Sequence, residues 1–369
     1  MRILFVQNRF HTNQYFPIKK LQDEDHNVKY LTVKQQVNGK NVVTPKRIEF
    51  SLVSNILASF SGRDRDGFMW KYGLPSVRWL YDEIRAFDPD VIVVKRLKAI
   101  SLSTIAIGNL LGIKTIVYDQ VPAYGRQRPL RTLLRKTHEL VTGDPLIEYT
   151  PVEGDPFYDS VPCTYFVPFA MDYDFNFEEK EYFRNDQINL LTIGDLDTRR
   201  KGHLLILEAV RELRADYDVH LTILGNVPDE DDPNYSRITN FIAQYELGDI
   251  VELKGTVEFE DMSDEYARHD VYVLPSYDEP AAVSHLEAMA HGLPAICSDS
   301  NGTKYYIEEG ETGCVFRSQD SDDLTEKLNQ VIRDREELMR MGERCYDFAE
   351  SDLDPDIYYD RLCNLLGSH

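Results

Sequence analysis

The residues best suited to chemistry lie in EPAAVSHLEAMAHGLP, positions 279 to 294, where Glu279 and Glu287 stand with seven residues between them. The apolar row Ala282, Leu286, Met289 and Leu293 predicts a helix, and Gly292 with Pro294 stops it. On that helix Ser284, Glu287 and His291 share another face. Glu279 is expected just before the first turn, where the backbone N–H groups of Ala281, Ala282 and Val283 are free and point outward. A helix N-terminus of this kind suits a diphosphate. A carboxylate on each side of it can accept hydrogen bonds from sugar or ribose hydroxyls. The Glu pair alone says little, because exposed glutamates are common on helices.

Such groups need a scaffold, and the chain supplies one by alternation. Short apolar runs at 3–7, 28–33, 91–94 and 115–118 are rich in the β-branched residues that suit buried parallel strands. Helical patterns lie between them, at 75–87 and from Leu102 to Gly112. A second series begins at Ile188, with strands at 190–194, 219–225, 250–253 and 271–275, and a helix whose face is Ile206, Ala209, Val210 and Leu213. The alternation predicts α/β architecture: parallel sheets with helices on both faces. Two doubly wound domains are expected to face each other across a cleft, where such sheets bind ligands. The boundaries read as 1–170 for an N-terminal Rossmann-like domain and 171–186 for an interdomain linker. Residues 187–352 read as a second such domain, and 353–369 as a helix packing back toward the N-terminal domain. Residues 34–73 read as an irregular insertion facing the cleft, in which Phe68, Met69 and Trp70 are candidates for peripheral membrane contact.

Composition narrows the partners. Lys plus Arg total 41 against 63 Asp plus Glu, a formal charge of −22. That surface repels nucleic acid. The acidic excess, spread along the chain, suggests adaptation to high salt. The five cysteines are scattered without a CxxC pair, which reads as reduced thiols in a cytoplasm. No signal-like segment opens the chain, and the near-apolar stretch 100–118 is broken by Gly108, Asn109, Gly112 and Lys114, so no membrane span is expected.

The run from 279 to 294 resembles the Glu-x7-Glu signature of retaining glycosyltransferase family 4, including the EAMAHGLP that follows the second Glu. GDLDTRRKG at 194–202 looks like that family's phosphate loop. LTILG at 221–225 with VELKGTV at 251–257 looks like its base-binding strands and loop. GETG at 310–313 and VPFAMDY at 167–173 are similar to its later turn and its interdomain phrase. The resemblance covers most of residues 165–330 and implies a GT-B fold of two Rossmann-like domains. It also implies an enzyme that moves a sugar from a nucleotide diphosphate sugar to a glycan or lipid-linked acceptor. By this resemblance Glu279 contacts the transferred sugar, Glu287 the ribose, and Lys201 the diphosphate, within the loop that starts at Gly194. The backbone of Ala281, Ala282 and Val283 would cradle the diphosphate, and Thr256 with Val257 would border the base. Such enzymes retain the anomeric configuration, explained without a protein nucleophile, and generally need no metal or cofactor.

The sequence departs from that pattern in places. Asp195 stands where the family usually has an arginine, so Arg199 or Arg200 would have to supply the charge. Asp195 and Asp197 formally make an Asp-x-Asp metal motif, but inside a phosphate loop no metal is expected. The glycine-rich loop after the first strand is replaced by Asn8, Arg9, Phe10 and His11; His11 and His138 are the acceptor-side candidates. The missing Gly-x-Gly-x-x-Gly counts against a dehydrogenase. The alternative reading is a catalytically silent GT-B protein that binds a nucleotide or glycan within a glycan-assembly complex.

Overall fold

The computed structural model describes residues 1–10, 12–34, 42–62, 64–95, 99–120, 129–152, 163–171 and 175–367. The chain divides into two compact units, one of Met1–Ala170 with Pro355–His369 and one of Met171–Asp354.

In the first unit, strands β1 (Arg2–Arg9), β2 (Asn27–Lys34), β3 (Lys46–Arg47), β4 (Val91–Lys95), β5 (Lys114–Tyr118), β6 (Ile147–Thr150) and β7 (Thr164–Phe166) form one sheet in the order β3-β2-β1-β4-β5-β6-β7. Every pairing is parallel. Its helices are α1 (Tyr15–Asp23), α2 (Leu52–Phe60), α3 (Arg65–Tyr72), α4 (Val77–Phe87), α5 (Ala99–Leu111) and α6 (Pro129–Thr142). Strand residues such as Leu4, Val6, Ile92, Val94 and Val117 are fully buried against Leu80 and Ile84 of α4, and each such side chain contributes about 1.5–3 kcal/mol.

The segment expected to be irregular is built instead around α2 and α3. Ser51 caps α2 by accepting from the Ser54 N–H at 3.2 Å, and Asp64 caps α3 by accepting from Gly67 at 2.9 Å. Met69 packs into the core at 1% exposure, while Phe68 and Trp70 are half-buried, so the expected apolar patch is taken up by folding. Exposed apolar side chains gather on α2: Leu52, Val53, Ile56, Leu57 and Phe60.

The second unit carries β8 (Ile188–Ile193), α7 (His203–Leu213), β9 (Val219–Leu224), α8 (Pro233–Gln244), β10 (Val251–Lys254), α9 (Met262–Ala267), β11 (Val271–Leu274), α10 (Ser284–Met289), β12 (Ala295–Ser298), β13 (Gly313–Phe316), α11 (Ser321–Ile332) and α12 (Arg335–Asp352). Its sheet runs β10-β9-β8-β11-β12-β13, again all parallel. Ile206, Leu207, Val210 and Leu213 of α7 pack on Leu190, Leu221 and Val273. The order reverses between β8 and its neighbours β9 and β11. That switch point, at the C-terminal edge of the strands, is where a sheet of this kind leaves room for a ligand.

Part of the stretch read as a linker is built into this unit. Tyr182 donates to the Gly292 carbonyl at 2.6 Å, and Phe183 N–H donates to Asp270 Oδ1 at 2.8 Å. Lys180 is half-buried, donating to the carbonyls of Tyr266, Ala267 and His269 at the end of α9, and desolvation of its ammonium pulls its pKa down to about 7. These aromatic and charged residues of the linker stretch are therefore anchors. The last helix, α13 (Pro355–Gly367), belongs to the first unit. It meets α1 through a Lys20–Asp356 ion pair, and a 3.1 Å bond joins His26 and Tyr359.

Candidate functional site

At the C-terminal edge of the second sheet the chain leaves β8 through Gly194 and makes a 3-10 turn, Arg199–Lys201, before α7. Gly202, between turn and helix, has φ +74°, and a Cβ there would lie 2.2 Å from the Pro275 carbonyl oxygen. Only glycine lets this loop lie against the end of β11. Gly225 allows a similar approach, since a Cβ there would stand 2.2 Å from the Gly194 carbonyl oxygen. His203 is buried and donates from Nε2 to that same carbonyl at 3.2 Å. Burial lowers its pKa to about 4, so the ring is neutral.

The loop places its cations against Glu279. Tyr277 N–H donates to the Arg200 carbonyl at 2.9 Å, tying the backbone that carries Arg200 to the backbone leading into Glu279. The Glu279 side chain is 13% exposed, and its Oε2 accepts from Arg200 Nη1 and, at 3.2 Å, from Lys201 Nζ. Burial works to raise the carboxyl's pKa, but the charges of Lys201 and Arg200 outweigh it and hold the group below the usual carboxylate range. Of the two arginines left open by the sequence, Arg200 reaches the carboxylate and Arg199 is exposed. Asp195, which replaces the family's arginine, is exposed and accepts from the Asn226 N–H at 3.2 Å, a contact that holds the chain leaving β9.

The helix after Glu279 starts later than its apolar spacing predicts. Asp278 takes a left-handed φ of 54°, Glu279 forms a parallel bridge with Asn301, and its carbonyl accepts from Gly302 N–H at 2.9 Å. These contacts keep the backbone extended, and α10 begins only at Ser284. The N–H groups of 281–283 are therefore not all free: Ala282 is buried, and its N–H points to Asn301 Oδ1 at 3.5 Å. That oxygen also accepts from the Thr303 hydroxyl at 3.0 Å, and the same hydroxyl donates to the Ala282 carbonyl at 2.9 Å. Asn301 and Thr303, which no local pattern singles out, are what shape this loop; SNGT at 300–303 marks only a turn.

Glu287, on the face of α10 shared with Ser284 and His291, accepts from the Tyr266 hydroxyl at 2.8 Å. Thr256 is exposed and Val257 half-buried, just beyond β10 at the same edge. Gly194, Arg200, Lys201, Thr256, Val257, Glu279 and the 281–283 backbone thus share one edge of one sheet. Among the described residues no group of three His, Cys, Asp or Glu comes together as a metal set.

The acceptor-side candidates belong to the first unit. His11 lies outside the described residues. His138 bonds Asn109 at 3.2 Å beside a cavity of about 530 Å³ lined by Lys114, Thr115 and Ile147, which belong to the beginnings of β5 and β6. The helix α6 returns the chain to the N-terminal edge of the first sheet, so His138 sits opposite the edge where a doubly wound sheet binds ligand. Burial lowers its pKa.

Comparison with known proteins bears on the second unit most directly. The family described as Glycosyl transferases group 1 matches residues 174–348. The D-inositol 3-phosphate glycosyltransferase of Paenarthrobacter aurescens is 29% identical over 171 residues, 46% of this chain and 41% of that protein. The lipopolysaccharide core biosynthesis glycosyltransferase LpsE of Rhizobium meliloti is 27% identical over 46% of this chain and 47% of its own. The matched part thus spans under half the length of these relatives. Among solved structures, a glycosyltransferase from Rickettsia africae matches with a TM-score of 0.75 at 11% identity, covering 100% of this chain and 98% of that one. HepE of Anabaena, solved with UDP, matches with a TM-score of 0.74 at 12% identity over 100% of both chains. Identity this low speaks for the fold alone, and the fold is GT-B, with two Rossmann-like units. Residues 174–348, within the second of those units, are a glycosyl transferases group 1 domain.

Proposed function

We propose that the chain is a retaining, metal-independent glycosyltransferase that moves a sugar from a nucleotide diphosphate sugar to a glycan or lipid-linked acceptor. The observation that carries this reading is Glu279, an ionised and mostly buried carboxylate sharing two cations with the glycine-bounded loop Gly194–Gly202. A carboxylate that keeps its charge beside Lys201 and Arg200 can accept hydrogen bonds from a sugar while the cations turn to a diphosphate. As the bond from the anomeric carbon to the phosphate oxygen breaks, negative charge grows on the leaving group. Lys201 and Arg200 are fixed where that growth is stabilised. The acceptor oxygen forms its bond on the same face, and its proton passes to the departing phosphate. No protein nucleophile enters the step. Glu287 reads the ribose, and Thr256 with Val257 border the base.

HepE, of the same fold, has been solved with UDP, UDP-glucose, and UDP with glucose, which makes UDP the first nucleotide to try. The cysteines, none in a disulfide, fit a reducing cytoplasm. No described helix is long and apolar enough to cross a membrane. Peripheral contact with a membrane, where the acceptor is lipid-linked, would use the apolar face of α2.

The test is a thermal-shift panel of UDP, GDP, ADP and their sugar conjugates at low and multimolar KCl, followed by a transfer assay. A ligand at about a hundred times its Kd stabilises by about 2.7 kcal/mol. Stabilisation by one nucleotide family, with transfer from its sugar conjugate, is the expected result. Binding without transfer selects the silent nucleotide-binding protein, and no stabilisation of the folded protein at either salt removes the transferase reading in favour of a silent glycan-binding protein.

A further inference from the structure

The contacts beneath Glu287 form a connected set. Tyr266, on α9, is fully buried and donates its hydroxyl to Glu287 Oε2 at 2.8 Å. Its ring stacks on His291, with centroids 5.0 Å apart and planes at 28°. His291 in turn donates from Nδ1 to the Glu287 backbone carbonyl at 2.7 Å, and its Nε2 accepts from the Ser263 hydroxyl, also on α9, at 2.8 Å. Burial lowers the His291 pKa to about 4, which keeps the ring in the single neutral form that can do both. Glu287 is therefore gripped at both ends from one short helix: its carboxylate by Tyr266 and its main chain through His291.

That helix is itself pinned. Glu265 pairs with Lys254 at the end of β10, and Lys180 closes the helix's C-terminus through the carbonyls of Tyr266, Ala267 and His269. A buried tyrosine hydroxyl fixed in this way sets the torsion of the half-buried carboxylate it touches. With Oε2 committed to Tyr266, one oxygen of the carboxylate is held at a buried donor.

We infer that Tyr266 is a positioning residue for nucleotide recognition: it orients Glu287 so that the enzyme distinguishes a ribose from a 2′-deoxyribose diphosphate. This rests on the reading of Glu287 as the ribose contact. A carboxylate held in one orientation discriminates against a ligand lacking the hydroxyl more sharply than one free to turn to water.

The test is titration calorimetry of the full chain with UDP, GDP and ADP and with the 2′-deoxy form of each. It is run on the wild type, Tyr266→Phe, Glu287→Gln and the double variant, with thermal unfolding as a check on folding. The wild type is expected to prefer one ribonucleotide over its deoxy form by about tenfold. Tyr266→Phe keeps the ring and its stack on His291. It should reduce that preference to about threefold or less while leaving affinity for the deoxy form within about twofold. In the double variant the two losses should not add, because Tyr266 acts through Glu287. Equal loss of ribo and deoxy affinity in Tyr266→Phe, or an undiminished preference, would overturn the positioning role. A wild type, or a Glu287→Gln variant, whose preference shows no dependence on the 2′-hydroxyl or on this carboxylate would instead overturn the ribose reading beneath it.

Discussion

Glu279 and the two cations beside it behave as one electrostatic unit. The carboxylate is ionised because Arg200 and Lys201 stand against it, and those side chains are held in place partly because the carboxylate is there. Removing the cations leaves a mostly buried carboxylate, whereas removing Glu279 leaves cations that are more exposed, so the consequences differ by residue. Glu279→Ala deletes a group proposed to touch the transferred sugar but leaves the cations for the diphosphate. Turnover is expected to fall by about a hundredfold or more while UDP affinity changes by less than about threefold, measured by steady-state kinetics and calorimetry. A parallel, small loss in both would take Glu279 away from the sugar. The arginines make a second contrast. Arg200→Ala should weaken nucleotide diphosphate binding by about tenfold, as loss of a charge-assisted contact does. Arg199→Ala, an exposed position, should stay within about twofold. Similar losses from both would mean that the loop's summed charge, and not the placement of Arg200, is what binds.

The loops and short helices of the second unit show how far local sequence reaches. Alternating apolar runs made the strands legible, since a buried parallel strand has to be apolar on both faces, as Leu190, Leu221 and Val273 are. The loop from Gly194 to Gly202 was read as a phosphate loop through its resemblance to a family pattern, not from its composition. What escaped reading was set by distant partners. The start of α10 is delayed by the bridge from Glu279 to Asn301, and Tyr266 reaches Glu287 across two helices; neither leaves a mark in its own neighbourhood. Lys180, Tyr182 and Phe183 fell in the stretch read as an interdomain linker because the carbonyls and core they meet lie far along the chain. The helices α2 and α3 were missed because the caps Ser51 and Asp64 stand in a segment dense in glycine and charge. Gly202 tests the loop at this scale. An alanine there must hold φ near +74° and places its Cβ 2.2 Å from the Pro275 carbonyl oxygen. The conformation alone costs about 1–2 kcal/mol, and the loop must also retreat from β11. A drop in Tm of about 4 °C or more is expected, with nucleotide stabilisation lost. Gly248→Ala meets nothing within 4 Å and serves as the reference, expected to shift Tm by no more than about 2 °C.

Over the whole molecule, acid sensitivity should concentrate in one unit. His203, His269, His285 and His291 all belong to the second unit, and burial lowers each to about 4 from an ordinary value of 6.5. Each is neutral in the fold and donates a ring N–H to a backbone carbonyl, of Gly194, Glu265, Thr303 and Glu287 respectively. The sign follows from proton uptake. Below pH 6.5 the unfolded chain binds protons at these rings that the folded chain refuses until about pH 4, so stability falls as pH falls through that window. Each tenfold difference in proton affinity between the folded and unfolded chain is worth about 1.4 kcal/mol, which makes several such groups large beside the roughly 5–15 kcal/mol that holds a typical domain. Glu279 adds in the same direction: its lowered pKa stabilises the fold above the unfolded value, and that contribution is lost as pH drops through the folded one. The two tryptophans, Trp70 and Trp79, both lie in the first unit, so the units can be followed separately. Acidification from about pH 7 to about 4.5 is expected to lower far-UV helical signal before tryptophan fluorescence moves. His285→Asn, which removes a fully buried imidazole, should flatten the pH dependence even though it lowers stability at neutral pH. Tryptophan emission that shifts first, or a melting temperature level across that acid range, would mean that the buried histidines do not govern acid unfolding.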